Sequence, residues 1–227
     1  MTISARMPAP AGGREVLRAV FYAAMVSSAF QIITAAFSPL SSTVVRAIHV
    51  GFLLLLTFLI HPWRGGRTGT SLASKALGFL AIGLAGYHWV FEAELVQRAG
   101  ELTRADMVVG IVTLTLVFEA ARRIMGFALP LICLGFLSYA LFGEYFPGVL
   151  AHRGYGLDQV VGQLAFGTEG IYGTPTYVSS SYIFLFILFG SFLEQAGMIQ
   201  LFTDFALGTV GHTKGGPAKV SVVSSGL

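Results

Sequence analysis

Uncharged residues run without a break from 19 to 37, and five more apolar runs follow at about 47–60, 76–91, 107–121, 124–143 and 171–193. Hydrocarbon offers a backbone amide no partner, so a segment lying in it must pair its own N–H and C=O groups, which leaves helices or a closed barrel. A helix crosses with about 20 residues at 1.5 Å each. The runs at 76–91 and 107–121 fall short of that, and snorkelling of Lys75, Arg122 and Arg123 or local thinning makes up the difference. A further apolar segment, 198–211, is interrupted by Asp204 and is too short to cross. The basic arm 1–18 raises the alternative of a signal peptide, whose apolar core is usually about 7–15 residues; the longer run at 19–37 favours a retained first span.

Composition narrows the fold class. Of 227 residues, 55% are hydrophobic and 11% charged, against about 25% charged in a soluble domain. That cannot cover a water-facing surface, so the expected fold is an all-α polytopic helical membrane protein with about six transmembrane helices plus interfacial helices. Disordered and fibrous classes are excluded by the same numbers. The formal net charge of +3 builds no basic face for nucleic acid, because the cations sit at the ends of apolar runs.

Those cations set the orientation. With the N-terminus cytoplasmic, ten of the 14 basic residues fall inside, in the arm, in 62–75, at Arg122 and Arg123, and at Lys214 and Lys219. The outside segments hold Arg46, Arg98, Arg104 and Arg153. This is the positive-inside pattern for six crossings. Linkers are expected at 38–43, 62–74, 92–106 and 145–168. Within the last, Leu157, Val160, Val161, Leu164 and Ala165 recur at helical spacing, as in a helix lying along the interface.

No polar constellation spells out catalysis. The Gly211–Lys219 segment is Gly-rich and basic but does not fit the phosphate-cradling G-x-x-x-x-G-K-[ST] pattern, and Pro217 removes a donor. Cys133 is the single cysteine, so neither a disulfide nor a Cys-based zinc site is expected, and no metal site is assigned. His49 and His88 both fall near the outer face, where paired imidazoles can hold a haem or simply place a polar tip among headgroups. Ser179, Ser180, Ser181 and Ser191 lack the elbow of a serine hydrolase.

Other polar residues mark structure. Glu119 precedes Arg122 and Arg123 at helical spacing, which reads either as a turn anchored at the inner face or as a proton relay. Pro175, in Thr174-Pro175-Thr176, marks a helix entrance or a kink. Gly208, Gly211, Gly215, Gly216 and Pro217 break an apolar stretch at the inner boundary. Such a break is either a cytoplasmic loop or irregular backbone of the kind that marks transport sites.

Several stretches resemble a known family: Phe118-Glu-Ala-Ala-Arg-Arg-Ile-Met-Gly-Phe-Ala-Leu-Pro130, Tyr139-Ala-Leu-Phe-Gly143, His152-Arg-Gly-Tyr155 and Thr168-Glu-Gly-Ile-Tyr-Gly173. Further on, Phe184–Glu194 and Gly215–Leu227 belong to the same likeness. Together they resemble the fused membrane subunit of tripartite ATP-independent periplasmic (TRAP) transporters, in the variant that joins a four-helix and a twelve-helix subunit. The likeness runs from about Phe118 to the end and is topological before it.

The resemblance implies a multi-pass permease of the prokaryotic inner membrane that is not an enzyme. It would import an organic anion, often a carboxylate, on a sodium gradient, with no cofactor beyond that coupling ion. Implied partners are a TAXI-type periplasmic binding protein, the remainder of the large permease domain and the lipid bilayer. It divides the chain into a cytoplasmic arm (1–18), a small-subunit-like scaffold (19–125) and the start of a large-subunit-like transport domain (126–227). In the family the last motif runs into a Gly/Ser-rich hairpin tip that helps hold sodium and substrate. This sequence stops before the tip, as a truncated product unable to transport alone would. Ser221, Ser224, Ser225 and Gly226 would lie on the hairpin's first arm, either near the cation or as small residues that let helices approach. The rival expectation is a membrane module without transport, either haem-carrying or an assembly partner.

Overall fold

The computed structural model describes residues 13–62, 72–98 and 100–226. Residues 1–12, with Arg6 and most of the basic arm, and the greater part of the 62–74 linker, with Arg64 and Arg67, lie outside the described residues. The chain folds as two compact units, Met1–Ser180 and Ser181–Leu227. Among the described residues every regular element is helical.

The first unit is built on α1 (Gly13–Phe37), α2 (Ser42–Ile60), α3 (Leu72–Val90), α4 (Glu92–Gln97), α5 (Arg104–Met125), α6 (Ala128–Phe142), α7 (Leu157–Ala165) and α8 (Thr174–Val178). Side-chain caps fix two of the starts. Ser41 accepts from the Val44 N–H at 3.3 Å to open α2. Thr103 and Asp106 form a reciprocal capping box that opens α5, satisfying two amides that have no partner within the helix.

The core lies where α2, α3 and α5 meet. Leu54 and Phe58, Ala81 and Leu84, and Leu116 and Ala120 are buried against one another there. Small residues let α2 and α3 approach: a Cβ on Gly51 would stand 2.8 Å from Ala85 Cβ and 3.3 Å from Ala81 O. Without a hydrophobic force between helices in lipid, such close packing is a main source of association.

Among the described residues four helical segments are both long and apolar enough to cross a membrane: Val16–Phe37, Ser42–Ile60, Ala128–Tyr145 and Thr174–Gln195. The other two expected spans are longer than their apolar runs. Helix α3 has 19 residues and α5 has 22, about 30 Å at 1.5 Å per residue. They outrun those runs because Lys75, Arg104, Asp106, Arg122 and Arg123 are helical too, and these charged residues, with His88 and Glu119 inside the runs, lower their mean hydropathy. Helix α1 also starts early, at Gly13, and takes in Arg14 and Arg18.

The expected interfacial helix forms as α7, but its face is spent on protein. Val160, Val161 and Ala165 are buried, with α7 packed on α5. Leu157 is exposed.

The second unit contains α9 (Phe184–Gln195), α10 (Met198–Val210) and α11 (Gly216–Gly226). Helices α10 and α11 form an antiparallel hairpin, since Thr203 near the start of one meets Ser224 near the end of the other. Gly215, with φ of 77°, turns the chain between them.

Candidate functional site

Where the C-terminal end of α3 meets the N-terminal end of α5, a carboxylate is fully enclosed. Asp106 is 0% exposed. Its Oδ2 accepts from the Thr103 N–H at 2.9 Å and the Thr103 hydroxyl at 2.7 Å, and its Oδ1 accepts from the Tyr87 hydroxyl at 2.5 Å. Arg98 adds a charge at 3.4 Å. The negative group sits at the positive end of the α5 dipole, where it is favoured. Next to it, buried His88 packs its ring on Phe166 and Tyr172 at 5.1 and 4.8 Å, and its Nε2 has no hydrogen-bond partner among the described residues. Both residues line a cavity of about 590 Å³ shared with Glu92, Arg98, Asp158 and Phe166.

A second cluster ties α1 and α2 to the end of α8. Ser27, Gln31 and Thr34 make a buried polar stripe on α1. The Gln31 Nε2 lies 2.6 Å from His49 Nδ1, and His49 Nε2 lies 3.2 Å from Ser179 Oγ. One turn earlier on α2, Arg46 donates to the Tyr172 carbonyl at 2.6 Å and lies over the Tyr177 ring at 4.9 Å. Burial raises the pKa of the Tyr172 phenol well above the usual tyrosine value. Pro175 takes the entrance role: it stands in the first turn of α8, where its missing N–H costs nothing. A five-residue π turn, Ser179–Ile183, follows, and wide turns of this kind collect at functional positions.

Both ring nitrogens of His49 thus have protein partners. Among the described residues no three His, Cys, Asp or Glu side chains are grouped to hold a metal ion.

The C-terminal end of α5 carries the expected charge cluster. Arg122 grips Glu119 with two parallel bonds, at 2.8 and 2.7 Å, and Arg123 adds a third at 2.8 Å. Arg123 also donates to the His61 carbonyl at 2.9 Å and to buried Ser74 at 3.2 Å, and stacks over Phe58 at 4.8 Å. The geometry is that of an anchor binding the ends of α2, α3 and α5 together. Three donors thus converge on the Glu119 carboxylate.

The proposed hairpin residues come out in regular helix. Gly215 forms the turn, and Gly216 and Pro217 open α11. Ser224 Oγ lies 3.4 Å from Thr203 Oγ1, Ser225 donates to the Val222 carbonyl at 2.9 Å, and Ser221 and Gly226 are exposed.

Sequence reasoning missed Gln31, Ser179 as the partner of His49, and the enclosure of Asp106. Only the last left a signal, in the Thr103-x-x-Asp106 spacing of a helix start.

A family model described as "Tripartite ATP-independent periplasmic transporter, DctM component" matches residues 112–227. Neither the curated proteins nor the solved structures yield a match.

Proposed function

We propose a function from this premise: the chain belongs to the DctM family of tripartite ATP-independent periplasmic transporters. It is therefore a multi-pass membrane protein and a permease component. Beyond that, our reading is a secondary importer of an organic anion, a carboxylate by preference, driven by a sodium gradient in a prokaryotic inner membrane. A periplasmic binding protein of TAXI type would deliver the substrate.

In this reading residues 19–125 form a scaffold and residues 126–227 begin the moving part. The observation that carries it is the family match over 112–227. Two features support it: a core of α2, α3 and α5 pinned at its inner end by Glu119, Arg122 and Arg123, and the small-residue hairpin of α10 and α11. A fixed brace needs enclosed charge and tight packing, both of which the first unit has. Ser221, Ser224, Ser225 and Gly226 are assigned to the neighbourhood of the cation, with hydroxyl oxygens suited to a hard ion.

The test is uptake of radiolabelled carboxylates into proteoliposomes carrying the product of the whole reading frame. Accumulation that needs both an inward sodium gradient and the binding protein is expected. Accumulation unchanged when either is left out would overturn the reading.

A further inference from the structure

We propose that the cavity between α5, α6 and α7 holds an anionic phospholipid of the outer leaflet, with an acyl chain inside and the phosphate on Arg153. The inference stands on the membrane-spanning reading and is independent of transport.

The cavity measures about 810 Å³, within the roughly 300–1,000 Å³ typical of sites for small organic ligands. Its lining is sorted by polarity. Val117 and Phe118 from α5 and Phe136 and Leu137 from α6 form one part, while Arg153, Tyr155, Gln159 and Gln163 line another.

That sorting follows depth. With the N-terminus inside, α6 runs outward, and the Tyr155 N–H donates to the Ala140 carbonyl at 3.0 Å near its outer end. Residues 153–155 therefore lie at the outer interface. Phe136 and Leu137 are about a turn deeper, and Val117 and Phe118 lie past the midpoint of the inward-running α5. Polar outside and apolar within is the order of groups along a lipid. A small hydrophilic anion gains nothing from its apolar deep end.

Arg153 makes no ion pair or hydrogen bond with any described residue. A guanidinium at a membrane interface is stabilised by a phosphate, whose two free oxygens match its donor fork. Gln159 helps, because its Oε1 accepts from the Gly156 N–H at 3.3 Å, which leaves the amide nitrogen as a donor. Among the described residues Arg153 is the one cation on the lining, so a headgroup of net negative charge is favoured over a zwitterion.

The test is native mass spectrometry of the full chain in mild detergent, titrated with phosphatidylglycerol, phosphatidylcholine or glycerol phosphate. One tightly retained phosphatidylglycerol is expected. Arg153→Gln should weaken retention roughly ten-fold, and Arg153→Lys should keep most of it. Leu137→Trp, which fills the chamber, should abolish retention, while Leu131→Trp on the same helix but off the lining should not. Elution as a single species and an unchanged helical spectrum identify the variants to compare. No retained lipid, equal retention by Arg153→Gln, or equal binding of glycerol phosphate would each overturn the proposal.

Discussion

The imidazole of His49 joins groups far apart in sequence: its Nε2 lies 3.2 Å from Ser179 Oγ, 130 residues downstream, and its Nδ1 lies 2.6 Å from Gln31 Nε2. Gln31 is 2% exposed, so removing the ring strands an amide in the α1–α2 interface. His49→Leu should cost about 1–2 kcal/mol, read as a lower unfolding temperature in detergent. The double variant Gln31→Leu/His49→Leu should lose less than the two single losses added together. Strict additivity would show that the pair is not coupled.

Glu119 is the shared acceptor of the inner-end cluster, with Arg123 only 5% exposed beside it. Glu119→Gln should destabilise the chain by about 2 kcal/mol, because a charge-assisted bond is lost and an enclosed cation keeps its desolvation cost. The loss should change little between low and high salt, since partly enclosed pairs are weakly screened. Chemical denaturation at two ionic strengths checks both points. An unaltered midpoint would reduce the cluster to a surface decoration.

Two glycines make a matched pair. A Cβ on Gly110 would land on Val161 Cγ1 and come within 3.0 Å of Phe166, whereas one on Gly83 would meet nothing within 4 Å. Gly110→Ala should push α7 off α5 and cost about 1–3 kcal/mol. Gly83→Ala should be neutral or stabilise by up to about 1 kcal/mol. Thermal unfolding of the two variants side by side decides it, and equal effects would contradict the close approach of α5 and α7.

Orientation is checked in a background lacking Cys133. A cysteine at Glu101 should react with a membrane-impermeant maleimide in intact spheroplasts, and one at Met125 only after permeabilisation. The reverse pattern would defeat the orientation with the N-terminus inside.

What the sequence reveals here depends on how local the cause is. Glu119 with Arg122 and Arg123 is legible because spacings of three and four fix neighbours on any helix. The face of α7 is legible for the same reason. Its partner is not, since the same stripe suits lipid or protein, and only the approach of α5 at Gly110 decides. Helix ends depart from the apolar runs where charged residues continue the helix, as Arg104 and Asp106 do, because caps rather than hydropathy set those ends. The links from Gln31 to His49 and from His49 to Ser179 depend on which rods become neighbours, a long-range matter with no periodic signal. The wide turn at Ser179–Ile183 is likewise silent in residue type.

At Gly215 the backbone adopts φ of 77°, and a Cβ there would have nothing within 4 Å, so size is no obstacle. The obstacle is chirality alone. Semisynthesis placing D-alanine at this position would be accepted, while its L-enantiomer would be strained, and the α10–α11 reversal would then be a mirror-sensitive joint rather than a crowded one.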